Sequence, residues 1–336
     1  MDETWKVARE RMKGFCRVCP VCDGRVCAGE VPGMGGLGTG SAFTANLTSL
    51  AAVRFNMRLI HEVTEPDTHI QFLGQTLALP LLAAPIGGVS FNMGGKISEA
   101  DYIAAVLGGC AASGILGCVG DGVPDFIHQA GYEAIRQLEG KGIPFIKPWV
   151  DRAFFDKAEK ALSAGATMIG MDIDAAGLIT LKQMGTPVSP KSPRKLARII
   201  EQVKVPFILK GIMTVADAKM AVDAGARAIV VSNHGGRVLD HTPGAAEVLP
   251  EIAAAVKGRC VILADGGVRS GGDILKMLAL GADAVMIGRP FSVAALGGLK
   301  EGVSQYIQRI AGELEAAMVL TGTARADAVD RSILRN

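Results

Sequence analysis

The chain has 336 residues, 49% of them apolar and 20% charged, with a net charge of +2. That is enough apolar material for one large core, and the interspersed charges give no footing for a nucleic acid or an anionic membrane surface. No uncharged apolar run reaches the roughly 18 residues of a spanning helix, and the opening "MDETWKVARERMKGF" is too polar for a secretory leader. The expectation is a cytoplasmic protein that acts on a small molecule.

Residues 1–79 read as an N-terminal extension. Within it lies "CRVCPVCDGRVC", which places Cys16, Cys19, Cys22 and Cys27 in a C-x2-C-x2-C-x4-C run. Three thiols this close suit one face of an iron–sulfur cluster, with Cys27 as the fourth ligand beyond a turn at Asp23-Gly24. Structural zinc more often uses two separated C-x2-C knuckles, and redox-active or merely structural thiols are the remaining alternative. A reducing cytosol disfavours disulfides here. Cys110, Cys118 and Cys260 stand singly in apolar surroundings and read as core. "GMGGLGTG", Gly33 to Gly40, reads as a loop; with no helix pattern clearly beginning after it, it is not taken as a phosphate site.

From about residue 80 short apolar runs alternate with longer helical segments. The runs cover 79–85, 114–120, 143–149, 166–174, 205–211, 227–236, 260–267 and 283–290. Several are near-continuous and β-branched, as expected of strands buried on both faces. Between them, segments such as "DRAFFDKAEKALSAGA" and "TVADAKMAVDAGA" carry amphipathic helical spacing and end near glycine. Eight strand–helix units predict a single (β/α)8 TIM barrel over residues 80–336. A doubly wound open sheet is the alternative, and the absence of GxGxxG after the first strand counts against it.

Barrel enzymes carry their chemistry at the C-terminal ends of the strands, and the polar residues of this chain collect there. Lys147 lies near the end of the third run, Asp172 and Asp174 close the fourth, and Lys210 closes the fifth. His234 and Arg237 follow the sixth, Asp265, Gly266, Gly267 and Arg269 the seventh, and Gly288 and Arg289 the eighth. Each has an ordinary alternative: a snorkelling lysine, a hydrogen-bonded structural histidine, a plain glycine-rich turn. Five successive strands placing such groups on one rim favour a site. The last two loops, with bare backbone and Arg269 and Arg289, suit a phosphorylated ligand.

These segments resemble the FMN-dependent α-hydroxy-acid oxidase and dehydrogenase family, which includes glycolate and lactate oxidases. "SNHGGRVLD" is similar to its S-N-H-G-[GA]-R-Q-L-D, with Val238 in place of glutamine. "LADGGVRSGGDILKMLALGADAVMIGRPF", "ILKGIMTVADAKMAVDAGA" and "GELEAAMVLTG" match further family segments. The resemblance is strong over 205–335, weaker over 55–175, and fades before residue 40. It implies an FMN enzyme, an expected homo-tetramer, with His234 as base, Asp174 stabilising its imidazolium and Arg237 gripping a substrate carboxylate. It implies that Lys210 faces the flavin's pyrimidine edge, that Ser232 and His234 line the flavin, and that Asp265, Gly266, Gly267, Arg269, Gly288 and Arg289 hold the ribityl-phosphate end.

The chain departs from that pattern where substrate binds. A family tyrosine is replaced at about Lys147, another is missing near Pro32–Met34, and "DAAGLITLKQMG" lacks a second carboxylate-binding arginine; Lys147 or Lys182 is the replacement considered. The segment that forms the usual mobile lid is short. Two other functions compete with 2-hydroxy-acid oxidation. One is a type 2 isopentenyl-diphosphate isomerase-like flavoenzyme, on the loose similarity of "APIGGVSFNMGG", against which the His234–Arg237 pair counts. The other is a non-catalytic flavin-binding barrel.

Overall fold

The computed structural model describes residues 2–178, 181, 185 and 188–335. Each of the eight apolar runs forms a parallel strand: β3 (Leu81–Ile86), β4 (Leu116–Val119), β5 (Ile143–Ile146), β6 (Ile169–Asp172), β7 (Phe207–Ile212), β8 (Ala228–Val231), β9 (Val261–Ala264) and β10 (Ala284–Ile287). They close in sequence order, with β10 paired to both β9 and β3, so the architecture is the (β/α)8 barrel. β4, β5, β6, β8 and β10 are buried at every position. That burial, at roughly 1.5–3 kcal/mol per large aliphatic side chain, is why they read as unbroken apolar runs. Gly170 in β6 leaves room for the Phe145 ring of β5, which an added Cβ would enter.

The expected helices form as well. "DRAFFDKAEKALSAGA" gives Asp151–Ser163, and "TVADAKMAVDAGA" gives Val215–Asp223, opened by the Thr214 hydroxyl accepting from Asp217 N–H. The barrel sequence ends in Arg289–Thr321, two helical arms that meet at Leu299. No helix among the described residues is long and apolar enough to cross a membrane.

A hairpin ahead of the barrel, β1 (Ile70–Phe72) and β2 (Gln75–Leu77), turns through Leu73-Gly74, both at positive φ. It lies at the N-terminal end of the barrel, where Ala78 N–H donates to Gly114 O just before β4. The helix Asp2–Arg11 packs on the C-terminal arms, with Arg11 donating to Leu296 O and Trp5 beside Tyr306. The other end of the barrel is covered by residues 12–40. There the glycine-rich loop leads straight into a helix, Ser41–Ala52, which the sequence pattern did not suggest because "SAFTANLTSLAA" is rich in small residues and weakly amphipathic.

Candidate active site

β8 ends at Val231, and the chain then folds tightly at the rim. His234, Gly235 and Gly236 have φ of 58°, 62° and 76°. Three successive left-handed residues are costly except for glycine, on the order of 1–2 kcal/mol for the histidine. Neighbours require the two glycines: a Cβ at Gly235 would meet the Arg289 guanidinium, and one at Gly236 would strike the Phe43 backbone. Buried Asn233 braces the turn. Its Oδ1 accepts from Asn46 Nδ2 at 2.7 Å and from Gly236 N–H at 3.1 Å, and its Nδ2 donates to Pro243 O. The His234 N–H donates to Ser232 Oγ at 3.0 Å. An imidazole is thereby fixed over the barrel mouth.

His234 Nδ1 lies 3.0 and 3.1 Å from the two oxygens of Asp174. Burial pushes the Asp174 carboxyl up, but His234, Lys210 and Lys147 outweigh it and hold it below the usual carboxylate value. An ionised Asp174 accepts, so Nδ1 carries a proton and Nε2 is the ring nitrogen left for a substrate. Lys210, 3% exposed, is not a snorkelling lysine. Its Nζ is 3.2 Å from Asp172 and 3.9 Å from Asp265. Burial would push Lys210 down, but Asp172, Asp174 and Asp265 raise it instead, so it remains an ammonium. Asp172, Asp174 and His234 lie close enough together to hold a metal ion, yet Lys210 and the imidazole already serve as their counter-groups. β7 carries a register shift at Gly211, whose φ is 106° and whose added Cβ would stand 2.6 Å from the Asp174 carboxyl carbon. Glycine is needed there for the carboxylate to reach His234.

One cavity of about 270 Å3 is lined by Asp172, Lys210, His234, Arg237, Asp265–Arg269, Gly288 and Arg289, and by the apolar side chains of Val31, Phe91, Ile127, Leu178 and Leu181. Arg289 is pushed down to about 9 by burial and by the neighbouring Arg237 and Arg269, and burial pushes Arg237 down to about 10. None of the three pairs with a carboxylate among the described residues. Arg269 Nε and Asp265 Oδ1 are buried without a partner. An anion beside the guanidiniums and a hydroxyl near Asp265 would satisfy these groups, which is the polarity of a phosphate joined to a polyol.

Two assignments acquire a second meaning. Gly266 and Gly267, at φ of 88° and 82°, must be bare because Asn46 presses against both. Their backbone still lines the cavity. Arg289 stacks on Phe43 at 4.0 Å and donates to Met34 O, Gly35 O and Gly235 O, so part of its fork is already engaged.

Against known proteins, the family model for FMN-dependent dehydrogenases matches residues 33–184 and 180–336. The chain belongs to the FMN-dependent dehydrogenase family. It is 34% identical to a 4-hydroxymandelate oxidase of Amycolatopsis orientalis over 88% of this chain and 90% of that one. It is 33% identical to an L-lactate oxidase of Lactobacillus jensenii over 83% and 74%. A crystal structure of mandelate oxidase superposes with a TM-score of 0.81 at 29% identity, covering 99% of this chain and 97% of that one. The chain is therefore an FMN-dependent enzyme of the 2-hydroxy-acid oxidase and dehydrogenase class, the first of the functions the sequence suggested.

At the substrate end of the cavity the Arg237 fork is already partly engaged. Arg237 donates to Gly33 O, Gly35 O and Asn92 Oδ1. Those bonds leave its Nε–H and one further N–H of the five. Lys147 does line the cavity, while Lys182 lies outside the described residues. Two participants escaped the sequence reading. Asn92 orients Arg237. Asp121, at the end of β4, accepts from Lys147 N–H, Trp149 Nε1 and Lys157 Nζ, and so fixes the segment that carries Lys147. Asp121 sits at the same rim as the other polar residues, and that position was its available signal. The four N-terminal cysteines are all free thiols and partly buried. Cys110 and Cys118 are core as expected, whereas Cys260 is only partly buried.

Proposed function

We propose that the chain oxidises a 2-hydroxy acid bearing an apolar side chain to the 2-oxo acid. His234 takes the substrate proton at Nε2, and Asp174 stabilises the imidazolium that results. Arg237 binds the carboxylate through the donors that the loop carbonyls and Asn92 leave unused, and Lys147 supplies a second positive charge from across the cavity. Lys210 would lie against the flavin ring, where its charge would favour the reduced form. Ser232, His234, Asp265, Gly266, Gly267, Arg269, Gly288 and Arg289 hold the cofactor, with the arginines at the phosphate. The flavin, when bound, accepts the electron pair. The observation that carries the proposal is the His234–Asp174 pair, with His234 opening onto the same cavity as three partly buried arginines without carboxylate partners.

The apolar side chains of Val31, Phe91, Ile127, Leu178 and Leu181 in the cavity lining support a bulky apolar substituent over glycolate. The mandelate and lactate oxidases among its relatives are consistent with that preference. A cytoplasmic location and a homo-tetramer belong to the same proposal, and sedimentation would measure the latter. The test is heat release of the cofactor followed by chromatography, and anaerobic bleaching of the flavin by mandelate, lactate and glycolate. FMN that is bleached fastest by the apolar acids supports the proposal. FAD, or bleaching by none of the three, contradicts it.

A further inference from the structure

No helix or strand forms between Arg11 and Ser41, although this long segment is folded over the barrel mouth. Ordered loops beyond about 12–15 residues are uncommon and usually functional. Met12, Val18 and Met34 anchor it in the core, but between Cys19 and Cys27 the side chains of Val21 and Val26 are 75% and 57% exposed. That stretch buries little apolar surface of its own to hold its shape, and no disulfide is present among its cysteines.

The cysteines are gathered and supplied with donors. Cys16, Cys19, Cys22 and Cys27 fall within one short stretch of this loop, and all four are partly buried. Val18, buried and β-branched, takes a φ of 46°, and its N–H donates to Cys16 Sγ at 3.4 Å. A branched residue in that region is an outlier, and the bond it makes is the kind that stabilises a ligating sulfur. Arg269 Nη2 approaches Cys22 Sγ at 3.7 Å. The scaffold around them is tied down: Arg9 donates to Arg17 O and Val18 O, Arg17 pairs with Glu30, and Thr44 Oγ1 donates to Asp23 O.

The order of the cysteines distinguishes the two metal chemistries. Structural zinc usually draws on two separated C-x2-C knuckles. A compact C-x2-C-x2-C run followed by a fourth cysteine suits a cuboidal four-iron cluster, which takes one thiolate on each iron. The match to the family model begins at residue 33, after all four cysteines.

We propose that Cys16, Cys19, Cys22 and Cys27 ligate a four-iron, four-sulfide cluster beside Arg269, at the phosphate end of the flavin cavity. The cluster passes electrons singly from the flavin to a one-electron acceptor protein. Each 2-hydroxy acid oxidised yields two electrons and two protons; two acceptor molecules are each reduced once, and the protons leave to solvent. Only the source of the electrons rests on the proposed flavin chemistry, whereas the ligation does not.

The test uses the full chain, purified anaerobically and reconstituted with ferrous iron and sulfide. About four irons and four labile sulfides per chain are expected, with a paramagnetic signal on reduction. The double variant Cys19→Ser/Cys22→Ser is expected to lose the iron and at least tenfold in the rate of reduction of a one-electron acceptor, while flavin content and anaerobic bleaching by substrate persist. Fewer than one iron per chain after reconstitution of the flavin-loaded protein, zinc in place of iron, or a double variant that retains its iron would each overturn the proposal. If the double variant does not fold, the iron and sulfide content of the unmodified chain decides. Iron in the expected amount with a flavin that no 2-hydroxy acid bleaches would sustain the ligation and refute the proposed function instead.

Discussion

Asp174→Asn removes the charge beside His234 while nearly preserving shape. The carboxylate sits 3.0 Å from Nδ1, with Asp174 and His234 side chains 11% and 18% exposed, so solvent screens the pair little. At an effective dielectric of about 20, a carboxylate and an imidazolium with charge centres about 4 Å apart attract by about 4 kcal/mol. The amide keeps a dipole and a hydrogen bond, which returns part of this, so the proton-transfer step is expected to lose roughly 2–4 kcal/mol. That is about 30- to 1000-fold in rate at 1.36 kcal/mol per decade. The assay is single-turnover flavin bleaching under anaerobic conditions at saturating 2-hydroxy acid. Asp174 does not line the cavity, so the substrate concentration at half-maximal rate is expected to change less than the rate itself. A variant with full flavin content that bleaches within threefold of the unmodified chain would refute the role given to the pair.

The same carboxylate predicts a pH dependence of stability. Its folded value lies below the usual one, so its contribution is present above the unfolded value of about 3.9 and is lost as pH falls through the folded value. The melting-temperature gap between the unmodified chain and Asp174→Asn is therefore expected to shrink below about pH 4, and a gap that widens there would contradict the assignment. Gly211→Ala places a methyl group 2.6 Å from the Asp174 carboxyl carbon at a φ of 106°; a loss on the order of 1–3 kcal/mol in denaturant unfolding and slower bleaching are expected. Arg237→Lys is expected to raise the substrate concentration at half-maximal rate at least tenfold, because an ammonium lacks the planar fork. Cofactor-free protein is expected to gain melting temperature with inorganic phosphate, and Arg289→Leu to abolish most of the gain, as thermal denaturation would show.

The barrel was legible because strands buried on both faces cannot hide: β8 and β10 are apolar at every position, and the helices between strands carry clear amphipathic spacing. The rim residues were legible by position, each falling just after such a run. Local pattern carried nothing about contacts across the chain. Arg237 and Arg289 both donate to Gly35 O, some two hundred residues away, and the bareness of Gly266 and Gly267 answers to Asn46 on a helix the sequence did not reveal. Gly211 read as one glycine among 43, although its positive φ and its proximity to Asp174 make it part of the site. The engagement of Arg237 by Asn92 required the folded chain.

Anaerobic reduction of the bound flavin in His234→Ala isolates the step assigned to the imidazole. The variant is expected to keep stoichiometric FMN and to bleach roughly 10²–10⁴ times more slowly than the unmodified chain with the same 2-hydroxy acid, and the unmodified chain to yield one 2-oxo acid per flavin. Near-normal bleaching in His234→Ala would show that the proton leaves the substrate by another route.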